Sequence, residues 1–580
     1  MRSELTKTEK ILALDEAGFP GEPPEDIGGE AESGEANDKG KTQAIKIIGL
    51  VDGAGADVFR NTDGDPFATI PVGGHTEVLP LDGKDCKTWL CGLYYKATGK
   101  AANNEAIGQA VAVLSAKARF DRPDAIELST RTAERDCAIW YDLTNPKWQA
   151  VKITAEGWAV CDNPPIIFNR YRHQSPQSIP QPGGDIRKLL NYVNMRDNQT
   201  LFLCWLVSCF IPNIPHALLI LFGEKGAAKS TACEFLKAII DPSSLSTLTI
   251  TNDPRSMAVS LQQHYFLPFD NVSYISDETS DTLCRAITGG GIQQRRLYTN
   301  AEDTIFTFKR VVAINGINNV ATRSDLLDRS LLIELERINE SDRRELSEIQ
   351  VACEADRAAI LGGILDTLSK AMAIYPTVKL SKLQRMADFT RWCYAIGEAL
   401  GGLGQTFLDE YATNRASQNA EVISADPVAT LIVEFMTHRT EWSGTVSVLY
   451  GELTGIAADH NISTRNKSYP IDPARLSKRL NGIRSNLEGV GIGFERYRRS
   501  GNNCVSLRRA DLSPLPPLPP QATNRKALDY GSKMELPPLE SVTSTLLPLE
   551  KPSNSSAYGS SGGSGTKNTL FTGDLQKGRI

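Results

Sequence analysis

Residues 223–231 read Gly-Glu-Lys-Gly-Ala-Ala-Lys-Ser-Thr, with an apolar run before them and a helix-forming run after. At this spacing the backbone N–H groups of a loop and a helix N-terminus converge on phosphate oxygens and favour negative charge. Lys229 offers a fixed cation for the β- and γ-phosphates of ATP, Ser230 a hydroxyl for Mg²⁺, and Thr231 a neighbouring hydroxyl. The candidate nucleotide-binding set is Gly223, Glu224, Lys225, Gly226, Ala227, Ala228, Lys229, Ser230 and Thr231. Ala228 stands where glycine is usual, and its methyl fits if φ is negative there. The plain alternative is a glycine-rich turn with no ligand. Strand, loop, Lys-Ser-Thr and helix together argue against it.

Further along, Tyr265-Phe-Leu-Pro-Phe-Asp-Asn is an apolar strand ending in a carboxylate. Asp270, with Ser230, is the candidate Mg²⁺ pair, Asp270 acting through water. The next position often carries Glu as the base; Asn271 orients water but accepts no proton. Asp277 or Glu278 could supply that carboxylate, and a helix-capping Asp270 is the alternative. Val311-Val-Ala-Ile-Asn ends a strand at Asn315, placed to sense the γ-phosphate or, alternatively, to form an Asx-turn with Gly316. Arg329, just before the last apolar strand, could reach a neighbouring subunit's γ-phosphate or pair with Asp328 in its own chain. The candidate catalytic set is thus Lys229, Asp270, Asn271, Asn315 and Arg329.

A second concentration of charge lies in residues 465–509, which hold eleven Lys/Arg against three Asp/Glu, a local +8 in a chain of net charge −6. Pro473 opens a helix there with Leu476, Leu480 and Ile483 as its apolar stripe, and a basic hairpin comes next at 493–498 and 503–507. Helix and hairpin resemble a winged helix-turn-helix. In that arrangement Arg475, Lys478 and Arg479 meet DNA from the helix, and Arg498 and Arg499 from the wing. A basic helical lid packed on the rest of the protein is the alternative.

Apolar strands at 217–222, 265–269, 311–314 and 331–335 alternate with helices, which predicts an α/β fold with a parallel sheet. Six further segments frame this core. Residues 1–44 are acidic and predicted disordered. Residues 45–162 form an α+β domain with a hairpin turned at 61–65; Asp63-Gly64-Asp65 there reads as that turn rather than as a metal-binding carboxylate pair. Residues 163–184 read as a linker before a core at 185–340 that opens with a helix over 185–210. Beyond the core lie a helical region at 341–425, the basic module at 426–510 and a disordered Pro/Ser/Gly-rich tail at 511–580. Hydrophobic residues at 41% and charged residues at 23% are ordinary for a soluble protein. Eleven scattered cysteines without a CxxC pair predict reduced thiols. With no leader-like start and an apolar stretch at 201–215 too short for a bilayer, the expected location is the cytoplasm.

Taken in order, residues 223–231, 266–271, the Thr-Gly-Gly-Gly at 288–291, Asn315 and Asp328-Arg329 resemble the AAA+ ATPases of superfamily 3 helicases. The likeness is nearest to poxvirus-type and phage or plasmid primase-helicase ATPases, and to prophage ATP-binding proteins. It covers roughly residues 45–509 and is strongest over 217–338. What it implies is a P-loop AAA+ core in an oligomer, possibly a hexamer, driving single-stranded or forked DNA in replication of a mobile element. It also implies a DNA-contacting hairpin ahead of the sensor strand. Arg295 and Arg296 are its basic residues here, beside an acidic tip at 300–303.

Overall fold

The computed structural model describes residues 42–295, 303–307, 309–316, 323–381, 384–459, 469–499 and 501–509. The acidic segment 1–40 and the tail 511–580 lie outside the described residues. An N-terminal unit is formed by α1 (Gln43–Gly53), an antiparallel sheet of β1 (Asp57–Arg60), β2 (Pro66–Val72) and β3 (His75–Pro80), α2 (Lys84–Thr98) and α3 (Asn104–Phe120). Side chains start two of its helices: Thr42 accepts from Ile45 N and Asn103 from Ala106 N. Its core of Ile47, Val51, Ile70, Leu90, Ile107 and Leu114 is its own.

A second antiparallel sheet comprises β4 (Thr132–Arg135), β5 (Ala138–Asp142), β6 (Ala150–Thr154) and β7 (Gly157–Cys161), in sequence order. One face, with Ile139, Tyr141, Val151 and Ile153, is continuous with the main core of the next domain. The region expected as one α+β domain over 45–162 thus carries two sheets, bridged by Phe59, Phe67 and Val78 against Trp148, and the second sheet also packs into the core of the parallel-sheet domain. Residues 163–184, expected as a linker, are strapped onto the protein. Gln177, buried, donates to Ile239 O at 2.8 Å, and Gln181 N donates to Ala358 O at 2.9 Å. Gly362 and Gly363 let the strap approach: a Cβ on Gly362 would lie 1.7 Å from Gln181 O.

The helix expected over 185–210 is broken. A 3₁₀ turn (Ile186–Asn191) is separated from α4 (Gln199–Ser208) by Asn198 in the left-handed region at φ 60°. Then come β8 (Leu218–Phe222), α5 (Lys229–Ile240), α6 (Pro254–Gln263), β9 (Phe266–Phe269), α7 (Asp277–Thr288), the hairpin β10 (Gly291–Arg295)–β11 (Asp303–Thr307), β12 (Val311–Asn315), α8 (Ser324–Leu327) and β13 (Ser330–Glu334). Strands β13, β8, β12 and β9, in that order, make the expected parallel sheet. Both faces are apolar, as a covered parallel sheet requires. Leu219, Leu221, Ala313 and Ile333 face one cluster, and Leu218, Ile220, Val312 and Ile314 the other.

Helices α9 (Leu346–Ile374), α10 (Ala387–Ala399) and α11 (Gly404–Ala425) close the first face. Ile360, Ile364, Phe389 and Ile396 join its core, so these helices belong to the domain rather than forming a separate lid. The stretch Leu346–Thr377 is long and apolar enough to cross a membrane, but 61% of its apolar window is buried in the protein. The C-terminal module runs α12 (Pro427–Thr437), β14 (Glu441–Thr445), α13 (Val446–Asp459), α14 (Pro473–Gly489), β15 (Ile492–Arg499) and β16 (Asn502–Arg509). Its three strands pair antiparallel in the order β14-β16-β15 around a core of its own. Asp426 and Asp472 cap α12 and α14, each with proline next, at the first helical turn.

Candidate functional site

The segment 223–228 leaves the carboxyl end of β8 and turns into α5, whose first residue is Lys229. Gly223 has φ 145°, and a Cβ there would lie 2.2 Å from Leu335 O, so only glycine fits. Ala228 has φ 56° and ψ 31°. The condition for an easy fit of this methyl, a negative φ, is not met, because the last loop residue turns left-handed into the helix. For an L-residue that strain is about 1–2 kcal/mol. Lys229 Nζ curls over the loop and donates to Gly223 O at 2.8 Å and Glu224 O at 2.9 Å. Partial burial lowers the Lys229 pKa, against the pull of Asp270.

Four predicted residues are joined by hydrogen bonds at the carboxyl edge of the sheet. Ser230 Oγ donates to Asp270 Oδ1 at 2.7 Å, and Asn315 Nδ2 to the same oxygen at 2.5 Å. Asn315 Oδ1 accepts from Asn271 N at 2.7 Å, and Asn271 sits at φ 51°. Asn315 is therefore a buried clamp that fixes the turn at Asp270-Asn271. Its side-chain acceptor is engaged across the sheet and not in a local Asx-turn. Glu234 joins this group without any motif in the sequence to mark it. It lies one helical turn beyond Ser230, and burial first, then Asp270, raises its pKa. Asp277 and Glu278 begin α7, where Arg323 lies 4.0 Å from Asp277 and 2.9 Å from Asp281.

Arg329 stands at the opposite edge of the sheet, since β13 runs parallel to β8 with Ser330 beside Leu218 and Glu334 beside Phe222. It is mostly buried and pairs with Asp325 at 2.5 Å, not with Asp328. Arg385 takes both Asp325 at 2.6 Å and Asp328 at 2.7 Å. Burial alone would raise the Asp325 carboxyl, but Arg329 and Arg385 hold it at about 2.

The segment after β13 also reaches the loop, and its only signal in sequence is a crowd of arginines just beyond a core strand. Leu335 N donates to Phe222 O at 2.8 Å and Ile338 N to Gly226 O at 3.2 Å, which lays the segment along the loop. Arg337 comes within 3.9 Å of Glu224. A methyl built on Gly226 would lie 3.9 Å from Arg343 Nη2.

In the C-terminal module Arg475 and Lys478 are exposed on α14, beside a cleft of ≈ 610 Å³ that includes Tyr469 and Ile471. Arg479 is different: its guanidinium grips Asp426, the cap of α12, at 2.6 Å. Arg498 and Arg499 are exposed near the end of the β15–β16 hairpin, with Arg498 Nε 3.4 Å from Asn503 Oδ1. The Arg295 backbone pairs with Asp303 in β10–β11; Arg296 and residues 300–302 of the tip lie outside the described residues.

Residues 185–419 match the protein family described as actinomycete integrative conjugative element replication protein, and residues 428–520 match the family described as AICE RepA C-terminal domain. No curated protein matches the sequence. Among solved structures, the chain is similar to one titled "SCCmec type IV Cch - active helicase", at 13% identity over 78% of this chain and 93% of that one, with a TM-score of 0.42. It is also similar to the apo structure of the NrS-1 C-terminal region, at 12% identity over 81% of this chain and 100% of that one, with a TM-score of 0.37. Over residues 185–419 and 428–520, then, the chain is similar to a replication protein of a mobile element, the actinomycete integrative conjugative element.

Proposed function

We propose that the protein is an ATP-driven motor that acts on DNA during replication of a mobile element. The observation that carries this is the loop between β8 and α5, with the Ser230–Asp270–Asn315 hydrogen bonds beside Lys229. In this reading the backbone of residues 223–230 and the Lys229 ammonium bind the triphosphate. The carboxylate and hydroxyl of Asp270 and Ser230 are the hard oxygen donors that suit Mg²⁺, which would neutralise charge on the phosphate oxygens. Asn315 holds Asp270 in place, and Asn271 orients water. A carboxylate still has to take the proton; Glu234, one helical turn beyond Ser230, and Asp277 and Glu278, at the start of α7, are the candidates.

The C-terminal order of helix, strand, helix, helix and hairpin is that of a winged helix, with α14 entering a groove and β15–β16 as the wing. Arg475, Lys478, Arg498 and Arg499 are the exposed cations for DNA there, and Arg479 is a structural tie. Asn271 in the place of an acid lends weight to a nucleotide-binding assembly scaffold with negligible turnover; an ATPase switch that binds DNA without unwinding it is the other reading that keeps turnover. Turnover measured with and without single-stranded DNA, together with unwinding of a forked duplex, separates the two. DNA-stimulated turnover with unwinding supports the motor, and stimulation without unwinding supports the switch. No turnover under either condition overturns both.

A further inference from the structure

We propose that Arg343 is an in-chain cation for the terminal phosphate of the nucleotide, delivered by the segment after β13. This deepens the ATP reading above and rests on it. Phosphoryl transfer spreads charge over the γ-phosphate oxygens, and a second cation beyond the loop lysine stabilises that charge. Arg329 is at the wrong edge of the sheet to serve its own loop, and it is tied to Asp325.

The segment beyond β13 is placed differently. Two backbone hydrogen bonds, Leu335 N to Phe222 O and Ile338 N to Gly226 O, fasten it to the end of β8 and to the middle of the loop. Gly223, with no side chain, lets Leu335 O approach. The same segment then brings one guanidinium nitrogen of Arg343 to 3.9 Å from where a Cβ on Gly226, the central loop residue, would stand. Arg337 is engaged with Glu224, whereas Arg343 is exposed and makes no ion pair among the described residues. A planar guanidinium with an unused fork of donors is the group suited to phosphate oxygens. Because the tether is backbone to backbone within one chain, the cation acts in cis.

The test uses the full chain, with binding of ADP and of a non-hydrolysable ATP analogue read by fluorescence, and turnover read separately. Arg343→Ala should keep ADP affinity, lose about tenfold in affinity for the ATP analogue, and lose about 10³-fold in turnover. Arg343→Lys should recover part of the affinity, because the charge returns without the fork. Mixing Arg343→Ala with Lys229→Ala subunits should restore nothing, since each subunit then lacks one part of its own site. Restored turnover in the mixture would overturn action in cis. If the wild type binds both nucleotides and Arg343→Ala equals it in affinity and turnover, Arg343 is a solvated surface arginine and the assignment fails alone. If the wild type binds neither nucleotide, the ATP reading fails and takes the assignment with it.

Discussion

Helix α5 carries a lysine at each end, and the two live in different physics. Lys229, at the first residue, rests on two loop carbonyls with its ammonium partly in solvent. Lys237, near the last turn, is fully buried. It donates to Asp241 Oδ2 at 2.8 Å and Phe266 O at 2.7 Å. Asp241 also takes Arg131 at 2.8 Å and the N–H groups of Tyr265 and Phe266. Arg131, itself fully buried, reaches there from the second N-terminal sheet, where it also donates to Asp142 O at 3.1 Å. Burial alone would raise the Asp241 carboxyl, but Lys237 and Arg131 hold it well below the carboxylate range. One end of the helix is open to a ligand; the other is riveted to the neighbouring sheet.

Breaking each end should give opposite signatures. Lys229→Ala should lower ATP turnover by at least about 10³-fold and leave the thermal midpoint nearly unchanged, since no buried charge is stranded. Asp241→Ala strands two buried cations and should destabilise the fold by about 3–5 kcal/mol, read by urea unfolding. A stable Asp241→Ala protein, or a Lys229→Ala protein with normal turnover, would erase the contrast between the two ends.

Acid should probe the buried end next. His264, 3.4 Å from Lys237 Nζ, has its pKa lowered to about 3 by burial and then by Lys237. His216, buried beside Lys309, is likewise lowered to about 3. An unfolded histidine titrates near 6.5, so between about pH 6.5 and 3 the unfolded chain takes up protons that the folded chain refuses. Stability is therefore fully present above that window and falls as pH drops through it, by up to about 1.4 kcal/mol per pH unit for each histidine. His264→Phe keeps a ring against His173, whose centroid is 3.9 Å away, and should flatten the slope over this window. An unchanged slope would show that His264 protonates as freely folded as unfolded.

These contrasts explain what was legible. The loop, the strand ending at Asp270 and the strand ending at Asn315 carry their chemistry in contiguous residues, so their positions were readable. The parallel sheet was readable because its strands are apolar throughout. The Arg131–Asp241 tie was not, because its partners are 110 positions apart and each looks like an ordinary surface charge in sequence. The strap at 163–184 reads as a linker for a related reason: its backbone finds partners scattered along the chain, at Ser129, Leu143, Pro242 and Ala358. Asn315 ends its strand as the apolar run predicts, yet its amide acts on Asp270 and Asn271, a role set by tertiary contact.

Arg329 offers a smaller and more conditional effect. At the edge of the sheet away from its own loop, it meets a phosphate only across an interface between copies, and only by leaving Asp325. If it does so, Arg329→Ala should bind ATP normally and hydrolyse it poorly. Mixing with Lys229→Ala should then recover some turnover, because mixed interfaces rebuild one complete site. Arg343 predicts no such recovery, so the two arginines are told apart by one mixing experiment. Absence of rescue for Arg329 in verified mixed oligomers would leave it as a partner of Asp325 alone.

The smallest effect belongs to Ala228, at the junction of loop and helix. Its left-handed φ of 56° strains an L-residue by about 1–2 kcal/mol, which Ala228→Gly would release. Glycine also loosens the unfolded chain, which works against folding by about 0.5–1 kcal/mol. The two contributions oppose each other, so the net should be a gain of about 0.5 kcal/mol, a shift of a degree or two at most in a chain this long. Ala228→Val tests the same geometry with larger leverage. A β-branched side chain is worse than alanine at positive φ and brings no compensating entropy, so it should destabilise clearly. Should valine be tolerated as well as alanine, residue 228 would have to adopt a negative φ in solution. The loop would then leave β8 differently, and the hydrogen bonds from Lys229 to Gly223 and Glu224, which depend on that turn, would be lost with it.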